Sequence, residues 1–179
     1  MCSTTNIRSK NVSLNGMTYP EQSTETVIKN SRPFFPDIEL QAFKDIYRLP
    51  GEYEEAPLIY ELKGALRHVN EELIDSVLIL QSVIVAETLE AFQAELVDVY
   101  QRAVMSWARS SLIKFFETIN RKAAAEIQGE RGDVLVDEFK GSAYKAIDQL
   151  NSRIIKVAEQ NGALPAGSKF ANGFRASII

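Results

Sequence analysis

Apolar residues recur at every third or fourth position through the middle of the chain, the spacing that lines one face of an α-helix. Ile59, Leu62, Leu66, Val69, Leu73, Val77 and Leu80 trace one such face. Pro57 suits the first turn of this helix, and Glu52, Glu54 and Glu55 before it complement the positive end of the helix dipole. A second stripe, Leu96, Val99, Tyr100, Ala103, Val104, Trp107, Ala108, Leu112, Phe115 and Ile119, predicts a helix from about Thr88 to Ala125. Gly129 and Gly132 are then expected to break the chain, with Asp133 capping a further helix. The face of that helix is Val136, Phe139, Ala143, Ile147, Leu150, Ile154 and Val157, and Asn161-Gly162 stops it. Ahead of these three lies a short helix carrying Ile38, Ala42, Phe43 and Ile46, capped by Asp37 and ended before Leu49-Pro50-Gly51.

Three long helices with short connections predict an all-α, antiparallel helical bundle, closed on one side by the short N-terminal helix. Ser82-Val83-Ile84-Val85-Ala86 is β-branched enough to pass for a strand, but no partner strand lies nearby, so a connection is expected. Residues 1–30 are rich in Ser, Thr, Asn and Gln and are expected to form a flexible N-terminal arm. Residues 31–160 form the bundle, entered through Ser31-Arg32-Pro33-Phe34-Phe35-Pro36-Asp37, whose prolines stiffen it and whose phenylalanines pack against the bundle end. Residues 161–179 are a pliable tail whose Phe170, Phe174, Ile178 and Ile179 are candidate anchors for another protein.

Charge divides along the same boundaries. Residues 37–160 carry 14 basic against 22 acidic groups, net −8, whereas residues 1–36 and 161–179 are each net +2. An acidic body disfavours non-specific adhesion to nucleic acid. No apolar stretch is long enough to span a bilayer, and residues 1–15 lack a signal-peptide core, so neither a membrane span nor secretion is expected.

Candidate chemistry is sparse. Cys2 is the one cysteine and His68 the one histidine, which excludes an internal disulfide, a thiolate metal site and any two-histidine metal site. A di-iron bundle needs Glu-x-x-His, and position 65, three before His68, is alanine. The adjacent carboxylates Glu54-Glu55, Glu71-Glu72 and Asp137-Glu138 diverge on a helix and read as solvated faces. Gly129-Glu130-Arg131-Gly132-Asp133 lacks the Lys-Ser or Lys-Thr of a phosphate loop and reads as a turn. His68 is expected to be structural or solvent-facing, and Trp107 to be core rather than a base-stacking platform. No catalytic, cofactor or metal site is expected.

Four segments in order, Phe34-Phe35-Pro36-Asp37-Ile38, Arg48-Leu49-Pro50-Gly51, Leu66-Arg67-His68-Val69-Asn70-Glu71-Glu72-Leu73 and Val99-Tyr100-Gln101-Arg102-Ala103-Val104, resemble the head completion protein family of tailed bacteriophages. The resemblance spans roughly Phe34 to Val157. It implies a non-enzymatic virion protein of the head-tail junction, assembled in the host cytoplasm. It further implies a homo-oligomeric ring of twelve copies below the portal protein, extending the DNA channel towards the tail terminator or the next neck protein. The genome would pass through the lumen without specific binding. In this picture Phe170, Phe174, Arg175, Ile178 and Ile179 dock on the portal. The competing reading is a DNA-binding packaging factor such as a terminase small subunit, which the net −8 body disfavours.

Overall fold

The computed structural model describes residues 26–51, 53–119 and 125–163. Within them the chain forms β1 (Val27–Ile28), β2 (Ile38–Glu39), α1 (Leu40–Ile46), α2 (Glu55–Gln81), α3 (Leu89–Gln93), α4 (Glu95–Ile119) and α5 (Ala125–Gln160). The architecture is all-α, built on the three long helices α2, α4 and α5 with α1 short at the N-terminal side, as the periodicity predicts. Residue pairs fix the directions. His68 and Ser76 of α2 meet Tyr144 and Asn151 of α5, so these two helices run parallel. Asn70 and His68 meet Tyr100 and Trp107, so α4 runs against both.

The predicted faces form the core. Leu62, Leu66, Val69, Leu73, Val77 and Leu80 of α2 are buried, as are Leu96, Val99, Tyr100, Ala103, Val104, Ala108 and Leu112 of α4. From α5 come Val136, Ala143, Ile147, Leu150 and Ile154. Two expected core positions are outside it: Ile46 is 64% exposed and Phe115 36%. Ile46 is the last residue of α1, and Leu40 and Phe43 are the buried residues of that short helix.

Four local expectations are corrected. The folded body starts earlier than the bundle entry at Ser31, because β1 pairs antiparallel with β2, Val27 opposite Glu39 and Ile28 opposite Ile38. Ile28, β-branched and 3% exposed, supplies the apolar side chain that draws the end of the polar segment into the fold. Second, Asp37 does not cap α1. The pairing of Ile38–Glu39 moves the helix start to Leu40, and the Asp37 carboxylate instead accepts hydrogen bonds from the Asn30 backbone N–H (2.8 Å) and Lys29 Nζ (2.7 Å). Third, the helix expected from Thr88 is divided at Ala94 into α3 and α4. Thr88 caps α3 by accepting from the Ala91 N–H, and the Leu89 N–H donates to the Phe34 carbonyl at 2.7 Å. Fourth, Gly129 and Gly132 do not interrupt the chain: α5 runs through both from Ala125, and Asp133 lies inside it. A helical glycine costs only about 1 kcal/mol relative to alanine, which the tertiary packing of a 36-residue helix overrides. Ser82–Ala86 is a connection, as expected, and Val85 at its tip is 97% exposed.

Candidate functional site

Three of the four segments singled out along the sequence, those containing Phe35, Asn70 and Tyr100, converge on one polar cluster. Phe35 stacks on Tyr100 at 4.8 Å with nearly parallel rings, and Phe34 meets Phe35 edge-on at 5.2 Å. Beneath this stack the Tyr100 hydroxyl donates to Asn70 Oδ1 at 2.6 Å. Asn70 Nδ2 donates to Asn30 Oδ1 at 2.8 Å, and Asn30 Nδ2 returns to the Tyr100 hydroxyl at 2.7 Å. The three side chains close a ring of hydrogen bonds joining the start of the fold, α2 and α4. Burial pushes the Tyr100 phenol far above its ordinary value, against the smaller effect of the Asn30 hydrogen bond, so it remains a neutral donor.

Asn30 is the hub. Its Nδ2 also donates to the Pro36 carbonyl at 3.2 Å, and its Oδ1 accepts the Arg32 N–H at 3.0 Å, an Asx turn that reverses the chain into Pro33-Phe34-Phe35. Asp37 then accepts from the Asn30 N–H. Its carboxyl is held below the ordinary value, first by the Lys29 hydrogen bond and then by that backbone N–H. Sequence reading missed Asn30 because it sits among other polar residues. The one available signal was the Asn-Ser-Arg-Pro spelling of a turn.

A second cluster lies where α2, α4 and α5 meet. The His68 imidazole stacks on the Trp107 indole at 3.7 Å, and Tyr144 closes edge-on against Trp107 at 5.5 Å. Lys140 Nζ lies 6.0 Å from the indole centre. His68 is half-buried, and its Nε2 is buried with no hydrogen-bond partner among the described residues. Burial lowers its pKa, outweighing the Glu72 and Glu71 charges that act the other way. Trp107 is half-buried and packs against the core, so a structural reading of both residues agrees with their surroundings.

Tyr47, the residue after α1, shares a 3.0 Å hydrogen bond with the buried Ser106 hydroxyl, which donates to the Ser142 hydroxyl at 3.4 Å. Tyr53 stacks on Phe116 at 4.1 Å. Arg109 of α4 is half-buried, its guanidinium shifted below the ordinary value by burial while Tyr53 and Tyr47 oppose the shift.

The carboxylates of the adjacent pairs are exposed, and Glu55 is held by Lys44 in a 2.6 Å ion pair. Among the described residues no three His, Cys, Asp or Glu side chains gather as metal ligands, and no helix is long and apolar enough to cross a membrane. The candidate anchors Phe170, Phe174, Arg175, Ile178 and Ile179 lie outside the described residues.

Asn30, Asn70 and Tyr100 thus spend their side-chain polar groups chiefly on one another and hold α2, α4 and the entry segment in register. That defines a helical bundle cross-tied by a polar ring. The sequence profile of the phage head completion protein (GPL) family matches residues 28–160, and the chain belongs to that family. The match begins at Ile28 of β1 and ends at Gln160, the last residue of α5. Its role is structural, in assembly of the phage head, and the protein is a virion component. No curated protein and no solved structure matches the chain.

Proposed function

We propose that this chain is the adaptor that completes the head at the portal vertex, as a ring of twelve copies extending the DNA channel towards the tail. The family membership carries this reading, and the architecture supports it: a helical body tied together by the Asn30–Asn70–Tyr100 ring is followed in the sequence by a net +2 segment, residues 161–179. The C-terminal residues Phe170, Phe174, Arg175, Ile178 and Ile179 dock on the portal protein, aromatic and aliphatic anchors with one guanidinium being suited to a partner's pockets. The tail terminator or the next neck protein binds the other end of the ring. The genome slides through without specific contacts, since an acidic lumen gives phosphates nothing to hold.

The deciding experiment is electron cryo-microscopy of the protein mixed with the portal of the same genome. A ring seated on the portal with residues 170–179 ordered against it is the expected result. A chain that remains helical yet does not associate removes the adaptor assignment. Deletion of residues 170–179 is expected to abolish attachment without loss of helicity.

A further inference from the structure

Charge changes sign along the α3–α4 segment. From Glu87 to Asp98 every charged residue is acidic, namely Glu87, Glu90, Glu95 and Asp98, and from Val99 to Phe116 every charged residue is basic, namely Arg102, Arg109 and Lys114. Four of these share a face. Glu95, Asp98, Arg102 and Arg109 stand at positions i, i+3, i+7 and i+14 of α4, which a period of 3.6 residues brings within one narrow stripe. Glu95, Asp98 and Arg102 are exposed and Arg109 is half-buried. None of the four takes part in an ion pair or side-chain hydrogen bond among the described residues.

Arg109 is the informative member. A guanidinium half removed from water ordinarily recovers its hydration from a carboxylate, and here no carboxylate pairs with it among the described residues, Tyr53 and Tyr47 being the groups that oppose the effect of burial. Arg with aromatic neighbours is also the composition of interface hot spots.

We propose that this face of α4 is an interface between copies of the chain, the Glu95 and Asp98 carboxylates of one copy pairing with Arg102 and Arg109 of the other. The inference goes beyond the assembly reading above and names a surface through which two copies meet. Acidic and basic halves lie about 10–20 Å apart along the helix axis. A neighbour whose α4 runs antiparallel lays its acids on the first copy's cations and receives the first copy's acids on its own. Such a contact uses the same patch on both copies and is isologous, the self-complementary kind that relates two copies by a two-fold axis. Charge complementarity selects a second copy over nucleic acid, because the acidic half of the stripe repels phosphate.

The test uses the full chain in sedimentation velocity over a range of concentration and salt. Wild type is expected to self-associate, less so as salt rises. Arg102→Glu with Arg109→Glu, and separately Glu95→Lys with Asp98→Lys, are each expected to raise the dissociation constant at least tenfold. An equimolar mixture of the two variants regains complementary faces and is expected to assemble. Should the half-buried Arg109→Glu reduce helicity, the exposed Arg102→Glu alone carries the same test. Unchanged association of both variants, a mixture that does not recover, or a wild type monomeric at every concentration overturns the proposal. So does loss of DNA retention in a gel shift with association unaltered, which assigns the face to nucleic acid. Portal binding is read separately: its absence with intact self-association removes the adaptor reading and leaves this interface standing.

Discussion

The Tyr100 hydroxyl donates to Asn70 Oδ1 at 2.6 Å across the antiparallel α2–α4 contact, and this bond is one side of a closed ring completed by Asn30. Each of the three residues uses its partners as both donor and acceptor, so removing the Tyr100 hydroxyl takes a donor from the buried Asn70 Oδ1 and leaves Asn30 Nδ2 with its bond to the Pro36 carbonyl. Tyr100→Phe keeps the ring stack on Phe35 but deletes the hydroxyl. We expect a loss of about 1–3 kcal/mol, the cost of stranding buried polar groups. A lower urea midpoint at unchanged slope checks it. Tyr100→Phe with Asn70→Leu is expected to cost less than the sum of the two single changes.

The same ring shows what the sequence could and could not disclose. Tyr100 and Asn70 stand on helical faces whose period is legible, and their segments are among those that carry the family resemblance. Asn30 lies seventy positions before Tyr100, in a segment whose composition reads as an arm, and only the tertiary fold brings it there. β1 was illegible for a related reason: two residues make no periodic signal, and their pairing depends on a turn fixed by Asn30 and Asp37. The division at Ala94 is equally silent, since apolar spacing continues across it. The glycines at 129 and 132 misled because a local cost was weighed without the packing that overrides it. Of the candidate site, the convergent motifs were readable, whereas the unpaired stripe on α4 required knowing that its arginines have no internal partner.

His68 gives the protein a pH dependence whose sign is fixed by burial. Its folded pKa lies below the ordinary 6.5, so between the two values the unfolded chain binds more protons. The contribution of neutral His68 is therefore fully present above about pH 6.5 and is lost as pH falls through the folded value. Wild-type stability is expected to decline between pH 7 and 5 more steeply than that of His68→Phe, which keeps an aromatic ring against Trp107. Denaturant titrations at several pH values, followed by Trp107 fluorescence, test this. Equal slopes for the two proteins would reject it.

Arg48 ends the turn after α1 with φ of +47°, in the left-handed region that costs a residue with a Cβ about 1 kcal/mol or more. Its N–H bonds to the Asp45 carbonyl at 3.2 Å, so the turn itself is backbone-held and does not need the side chain. Arg48→Gly is expected to stabilise the folded state, by somewhat less than that strain because glycine also loosens the unfolded chain. A rise in Tm of about 1–3 °C is the outcome sought by calorimetry.

Glycines elsewhere make opposite demands, which one experiment can separate. Gly64 and Gly141 lie inside α2 and α5, and a Cβ at either would meet no heavy atom within 4 Å. Nothing in the packing requires them, so Gly64→Ala and Gly141→Ala are each expected to add about 0.5–1 kcal/mol through reduced backbone entropy of the unfolded chain. Gly162 also has open space around it, yet its φ of +86° places it where an alanine is strained. Its N–H donates to the Glu159 carbonyl at 3.0 Å as α5 ends, the position a helix stop reserves for glycine. Gly162→Ala is therefore expected to destabilise by about 1 kcal/mol. Measured side by side in denaturant, the three substitutions should move the midpoint upward twice and downward once. A Gly162→Ala variant as stable as wild type would show that the left-handed conformation at the end of α5 is not maintained in solution.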